Sequence, residues 1–551
     1  MAPAERIRET YRRIREQGER PVWIHVIPEE VSLARLEALG SPEQLPLHGM
    51  TFAIKDNIDL ADVPTTAGCP DYGYVPVKSA TVVERLMAAG AIPIGKTNLD
   101  QFAAGLVGTR SPYGACSSVF GARYISGGSS SGSAVAVAGG LVDFSLGTDT
   151  AGSGRVPASL NHIVGLKPTR GALSTAGVVP ACRTLDCVSI FAANSATAGR
   201  IFTVARGFDA DHAYSRAAGQ KRAWPASGFR FGVPAGNMLR FFGDGSAAVL
   251  YREAVARFEQ RGGTAVEFDY SVFLEAAQLL YAGPWVAERL AAIRQFDGEH
   301  PEALYPVTRQ IILNAGSLPA VDAFEAMYRL AELARRAARE WERMDFMLLP
   351  TAGAAYTHEE IAAEPLALNT NLGYYTNFVN LLDLAALAIP AGMRANGIPF
   401  GVTLIGPAWS DEALLSMADQ TAPYCPAGYV ALAVCGAHLT GQPLNHQLTS
   451  AGAFLIEATQ TSPNYRLYAL SGTVPPKPGL EFTVEGGAPI DVEVWAVPES
   501  AFGRFVAAVP SPLAIGTCTL SGGRAVKSFV CEPWALHDAT DITHLGGWRQ
   551  Y

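Results

Sequence analysis

What most constrains the fold of this chain is the alternation of apolar strand-like runs with helical ones, punctuated by glycine. Between Met50 and Asp149 come "MTFAIKDNI", "TVVERLMAAGAIPIGKTN" and "GSAVAVAGGLVDFSLGTD". Strands that alternate with helices bury both faces of a sheet, so the pattern predicts an α/β core, a mixed sheet covered by helices. Ahead of it, Ile7 to Glu16 reads as a charged helix, "PVWIHVIP" as a strand and Leu33 to Leu39 as a second short helix. From about Ser271 to Arg343 the period turns helical, and the sheet pattern resumes at "DFMLLPTAG". After Ala422, "PYCPAGY" supplies prolines and a glycine, and a fresh strand-rich unit opens at "VALAVCGAHL". Two domains are expected, residues 1–425 and a smaller α+β unit of residues 426–551.

Charge narrows the function classes. A net charge of −9 opposes nucleic-acid binding, which needs a basic field. The basic stretch "RRAARE" at Arg335 to Glu340 sits in a periodic helical run and reads as a solvated helix face. The eight cysteines form no CxxC pair, which fits reduced cytosolic thiols. The N-terminus lacks the apolar core of a signal peptide, and no run of about 18 apolar residues follows. The expectation is a soluble cytoplasmic protein with no membrane contact.

The chemistry concentrates in "LGTDTAGSGRVP", Leu146 to Pro157, where small residues surround Ser153 and no histidine lies within eight residues on either side. A serine hydroxyl needs a base to become a nucleophile, and the charge that develops on the attacked oxygen needs donors already in place. The small residues before Ser153 let the backbone amides of Thr150, Ala151, Gly152 and Ser153 crowd such an oxyanion. An ordinary Gly-Ser turn capping a helix reads from the same twelve residues. Upstream, "ISGGSSSGSAVAVAGG" is a small-residue loop opening a helix from Ser133. As a phosphate loop it lacks the GK[ST] ending. Further upstream, "AIKDN" sets Lys55 in an apolar strand. It either snorkels beside Asp56 or is desolvated, and a desolvated lysine loses its charge and can act as a base.

These three pieces, in this order, resemble the amidase signature family of serine hydrolases over roughly Leu47 to Ala422. The resemblance implies Ser153 as nucleophile, Ser129 in "GGSSSGS" as a bridging serine after a cis peptide, Lys55 as the base, and Gly128 among the substrate contacts. Arg155 reads as a brace for the loop and Asp149 as an orienter of its amides. Ser130, Ser131 and Ser133 read as hydrogen-bonders of the loop, and His162 as structural.

Within the family, "GTDTAGSGRVPA" and "LLYAGPWVAERL" look like the allophanate hydrolases. Pro284 suits a helix's first turn and lets Tyr281 and Arg289 face one cavity, where an arginine fork and a phenol would hold a carboxylate. A surface Arg289 paired with Glu288 is the alternative from spacing alone. By the resemblance, Tyr281 and Arg289 contact the carboxylate of allophanate. "VCGAHLTGQPLNHQL", "VEVWAVPESAFGRFV" and "LAIGTCTLSGGRAVKSFVCEP" resemble the C-terminal domain of the same group, which is γ-glutamylcyclotransferase-like. Its loop residues His438, Asn445 and His446 are candidates for assisting loss of carbon dioxide from the first product; structural roles fit them equally.

The resemblance further implies urea degradation after a biotin-dependent urea carboxylase, a homodimer, and no metal or organic cofactor. An amidase for another small carboxylate, such as malonamate, stays open, with the C-terminal domain as a docking module.

Overall fold

The computed structural model describes residues 3–313, 316, 318–419, 425, 428–521 and 523–551. Contacts divide the chain into Ala2–Thr421 and Ala422–Tyr551.

In the first unit an eleven-stranded sheet runs in the order Trp23–Val26, Ile92–Thr97, Thr51–Lys55, Phe144–Asp149, Cys187–Ala192, Val164–Lys167, Leu384–Met393, Pro399–Pro407, Phe346–Pro350, Arg230–Pro234, Thr264–Phe268. It is mixed. Ile92–Thr97, Thr51–Lys55 and Phe144–Asp149 are mutually parallel, and Cys187–Ala192 is antiparallel to the last of them. The central strands are buried along their whole length, which is why they read as continuous apolar runs rather than alternating ones. Phe52 pairs with Phe144, their rings stacked at 5.1 Å. Such a pair adds about 0.5–1.5 kcal/mol beyond area burial.

The parallel strands aim their carboxyl ends at one place, the usual position for a ligand crevice in an open sheet. Thr51–Lys55 stops at Lys55 and Phe144–Asp149 stops four residues short of Ser153. The small-residue loop ends in helix Ser131–Ala138, two residues earlier than its apolar period suggests, because the serines and Gly132 are themselves buried. The helical stretch forms Ser271–Ala282, Trp285–Glu299, Pro306–Leu313 and Ala320–Ala338. No helix among the described residues is long and apolar enough to cross a membrane.

The second unit has its own core around Leu432, Val434, Leu467 and Val494. Five strands run in the order Phe454–Gln460, Asp491–Pro498, Tyr429–Val434, Ala525–Cys531, Leu513–Thr519, with a separate three-stranded sheet and the helices Asn445–Ser450 and Glu499–Ala507.

Candidate active site

Lys55 is fully buried, and its Nζ donates to Ser129 Oγ at 2.8 Å and to Thr148 Oγ1 at 2.7 Å. Burial pulls its pKa from the ordinary 10.5 down to about 7, against the opposing charges of Asp100, Asp186 and Asp149. A lysine in that range is neutral often enough at neutral pH to take a proton, which fits base chemistry better than a snorkelling side chain. The Gly128–Ser129 peptide is cis. Gly128 donates its N–H to Leu106 O at 2.8 Å, so it can meet a substrate only through its carbonyl. A Cβ there would stand 2.3 Å from Asp100 Oδ2, which excludes other residues.

Ser153 is 3% exposed. Its Oγ donates to Gly105 O at 3.3 Å, not to Ser129. Asp149 organises the loop around it. Oδ1 accepts from Gly152 N and Oδ2 from Gly154 N, each at 2.9 Å, while Arg155 grips the same two oxygens from Nη2 and Nε, also at 2.9 Å. Burial alone would raise the Asp149 pKa, and the Arg155 guanidinium overrides it and holds the carboxyl below its ordinary range. One expectation is corrected here: the Gly152 N–H is engaged by Asp149, so Gly152 is not a free donor for an oxyanion. What Gly152 supplies is space. Its φ is +142°, and a Cβ would lie 2.4 Å from Thr376 Oγ1.

Four further residues complete this shell. Thr148 holds Lys55. Asp186 accepts from Thr150 Oγ1 at 2.5 Å and from the amides of Ala181 and Cys182, and burial raises its pKa to about 6. Asn380 donates to the carbonyls of Asp149 and Leu185. Asp100 accepts from the amides of Val107, Gly108 and Arg110, and its own N–H donates to Ser129 O. Only Thr148 lies inside a quoted motif; Asp100 and Asp186 reach the site from loops and Asn380 from the short helix Phe378–Leu381. Among the serines, Ser130 bonds Thr148 O, Ser131 bonds Asn98 O and Ser133 bonds Leu146 O, all bracing the loop. His162 lies against the Phe120 ring, centroids 6.0 Å apart.

Arg289 sits in the first turns of Trp285–Glu299, just after Pro284, and is 3% exposed. Its guanidinium carbon lies 5.5 Å from the centre of the Tyr281 ring, Nη1 reaches Ala103 O at 3.5 Å, and Nε has no hydrogen-bond partner among the described residues. The surface pairing with Glu288 does not occur, because Glu288 accepts from Thr184 N and Oγ1 at 2.8 Å. Among the described residues no carboxylate makes an ion pair with Arg289. Burial opposes the Arg289 charge, while Cys182, Tyr281, Asp186 and Glu288 nearby favour it and leave its pKa raised; none of them takes the guanidinium fork in an ion pair, so the arrangement suits an acidic ligand.

In the second unit, a cavity of about 240 Å³ is lined by Gly436, His438, Gln447, Lys477, Phe505 and Phe529, among others. His438 stacks on Phe529 at 5.0 Å and its Nε2 meets Gln447 Oε1 at 2.9 Å; burial lowers its pKa. Asn445 and His446 do not line the cavity. Asn445 Nδ2 donates to His438 O and His446 Nδ1 faces Pro443 O, so both shape the loop.

Residues 5–415 match the Amidase family and residues 430–551 the allophanate hydrolase C-terminal domain. The urea amidolyases of Saccharomyces cerevisiae and Lachancea kluyveri are 43% and 42% identical, over 96% and 97% of this chain. The chain spans 31% of the length of each. The structure of Kluyveromyces lactis allophanate hydrolase aligns over 100% of this chain and 97% of its own, at 42% identity and a TM-score of 0.74. With a buried lysine bonded to the serine of a cis Gly-Ser peptide, and these matches across both units, the chain belongs to the amidase family and carries an allophanate hydrolase C-terminal domain.

Proposed function

We propose that this chain hydrolyses the terminal amide of allophanate. The observation that carries the reading is Arg289, a buried guanidinium stacked on Tyr281 with no carboxylate of its own, in the same unit as the Lys55–Ser129 pair. Allophanate is a planar ureido carboxylate, so its acid end would take the Arg289 fork and the Tyr281 phenol.

Neutral Lys55 receives the Ser129 proton as Ser129 takes that of Ser153, and Ser153 Oγ attacks the terminal carbonyl. The Ser153 hydroxyl must first turn from Gly105 toward Ser129. The amides of Thr150, Ala151 and Ser153 face the developing oxyanion, and preorganised donors of this kind are worth several kcal/mol. Collapse returns the proton through Ser129 to the leaving nitrogen, ammonia departs, and water cleaves the acyl-enzyme by the same route to give N-carboxycarbamate. Loss of carbon dioxide then leads to the second ammonia. The His438 cavity supports a place for that step in residues 426–551, with residues 1–425 as the amidase domain.

The urea amidolyase relatives support a role in urea degradation beside a biotin-dependent urea carboxylase. The free cysteines fit a cytoplasmic setting. A homodimer belongs to the same reading.

The test is ammonia release from allophanate against malonamate and neutral amides. Preference for allophanate is expected, and equal turnover of allophanate and malonamate would sink the narrow assignment.

A further inference from the structure

Four consecutive carbonyls, Ala103 to Leu106, each hold a different part of the site. Ala103 O accepts from Arg289 Nη1 at 3.5 Å, Ala104 O from Arg110 Nη1 at 2.7 Å, Gly105 O from Ser153 Oγ at 3.3 Å, and Leu106 O from Gly128 N at 2.8 Å. One short segment thus touches the arginine that would hold the substrate's acid end, the nucleophile, and the turn that carries Ser129. The contacts are unequal. Those from Arg110 and Gly128 are of ordinary length, whereas those to Arg289 and Ser153 stand at the long limit and are the easiest to exchange.

The segment is also held in an unusual conformation. Phe102 and Ala103 have φ of +50° and +54°, the left-handed region that residues other than glycine rarely adopt. Surrounding contacts hold them there. The Phe102 ring packs edge-on against Tyr72 at 5.2 Å and lies 5.9 Å from Phe296, which shares the helix of Arg289. Arg110, 2% exposed, ties Ala104 O to Pro365 O, and Asp100 binds the amides on the far side.

We propose that Ala103–Leu106 is a strap that couples carboxylate binding at Arg289 to readiness of Ser153. This rests on the reading of Arg289 and Ser153 given above. A carboxylate that takes the Arg289 fork withdraws Nη1 from Ala103 O and frees the strained turn. Gly105 O then releases Ser153 Oγ, which turns to Ser129, already bonded to Lys55. A neutral amide leaves Arg289 on Ala103 and Ser153 on Gly105. Selection against neutral amides therefore acts on the chemical step as well as on binding, and Arg110 is a positioning residue that makes the strap move as one piece.

The experiment offers the substrate in pieces: acetamide hydrolysis by the full chain is followed by ammonia release while formate is titrated. Formate binding is read from tryptophan fluorescence, since Trp285 lies one turn ahead of Arg289. Saturable acceleration of acetamide kcat/KM by about tenfold is expected, within the usual range of coupling between two sites. In Arg110→Met the acceleration should fall toward unity while formate still binds, and Arg110→Lys should restore part of it. Formate binding without acceleration in the unmodified chain would overturn the strap and leave carboxylate recognition standing. Formate binding that is absent, or unchanged in Arg289→Met, would overturn the Arg289 reading and the strap with it.

Discussion

Lowering the pH from 8 to 6 should cut kcat/KM for allophanate about tenfold, with Lys55 as the titrating group. The magnitude follows from its pKa of about 7. At pH 7 about half of the lysine is neutral, against roughly three parts in ten thousand at the ordinary 10.5, so burial enlarges the base population by about three orders of magnitude. A group with that pKa gives a neutral fraction of about 0.9 at pH 8 and about 0.09 at pH 6. Initial rates of ammonia release across this range, at substrate well below KM, give the profile of the free enzyme. Lys55→Met should remove the limb and lower the plateau by roughly 100- to 10,000-fold. A flat profile between pH 6 and 8, or a limb that survives in Lys55→Met, would refute Lys55 as the base. The same shift bears on stability. Between about pH 7 and 10.5 the unfolded chain keeps the lysine proton and the folded chain does not. Burial of Lys55 therefore penalises folding fully below pH 7, by on the order of 5 kcal/mol, and the penalty fades as the pH rises to 10.5. Chemical denaturation at pH 7 and 10 should show this gain in the unmodified chain and lose it in Lys55→Met.

Three further outcomes follow from the site. Arg289→Lys gives up the two-pronged grip on a carboxylate, and loss of one charge-assisted hydrogen bond, about 1.5–3 kcal/mol, should lower kcat/KM for allophanate by roughly 10- to 150-fold; an unchanged value would remove the carboxylate role. Arg155→Met strands Asp149 without its ion pair and should destabilise the first unit by about 3–5 kcal/mol, read as a lower denaturation midpoint, with no loss expected if the pair were exposed. His438→Ala should leave release of the first ammonia intact while the second lags behind it, and simultaneous release would assign loss of carbon dioxide elsewhere.

Much of this was legible in the sequence because strand burial and loop chemistry are local. The uninterrupted apolar runs around Lys55 and Leu146 announce buried central strands, and the glycines and serines around Ser129 and Ser153 mark places where backbone must come close. Other contributions are long-range. Asp100 N donates to the Ser129 carbonyl, Asp186 accepts from the Thr150 hydroxyl, 36 positions away, and Asn380 donates to the Asp149 carbonyl, 231 positions away, pairings that no window of sequence encodes. The Gly152 N–H illustrates the limit well, since a glycine before a nucleophile suggests an oxyanion donor until Asp149 is seen to hold it. Arg289 and Glu288 are neighbours in sequence with separate partners, because successive helix positions point about 100° apart, the first inward and the second to Thr184. In the C-terminal loop, only His438 of the three polar candidates reaches the cavity, since Asn445 and His446 bond backbone carbonyls of the loop.

The central claim is that Ser153 opens the terminal amide of allophanate, and the most direct measurement is ammonia release by the purified chain beside its Ser153→Ala variant, with folding of both checked by circular dichroism. Rapid release by the unmodified chain and loss of essentially all of it in the variant is the expected result. Ammonia release that survives in a folded Ser153→Ala, or a folded unmodified chain that leaves allophanate intact, would contradict it.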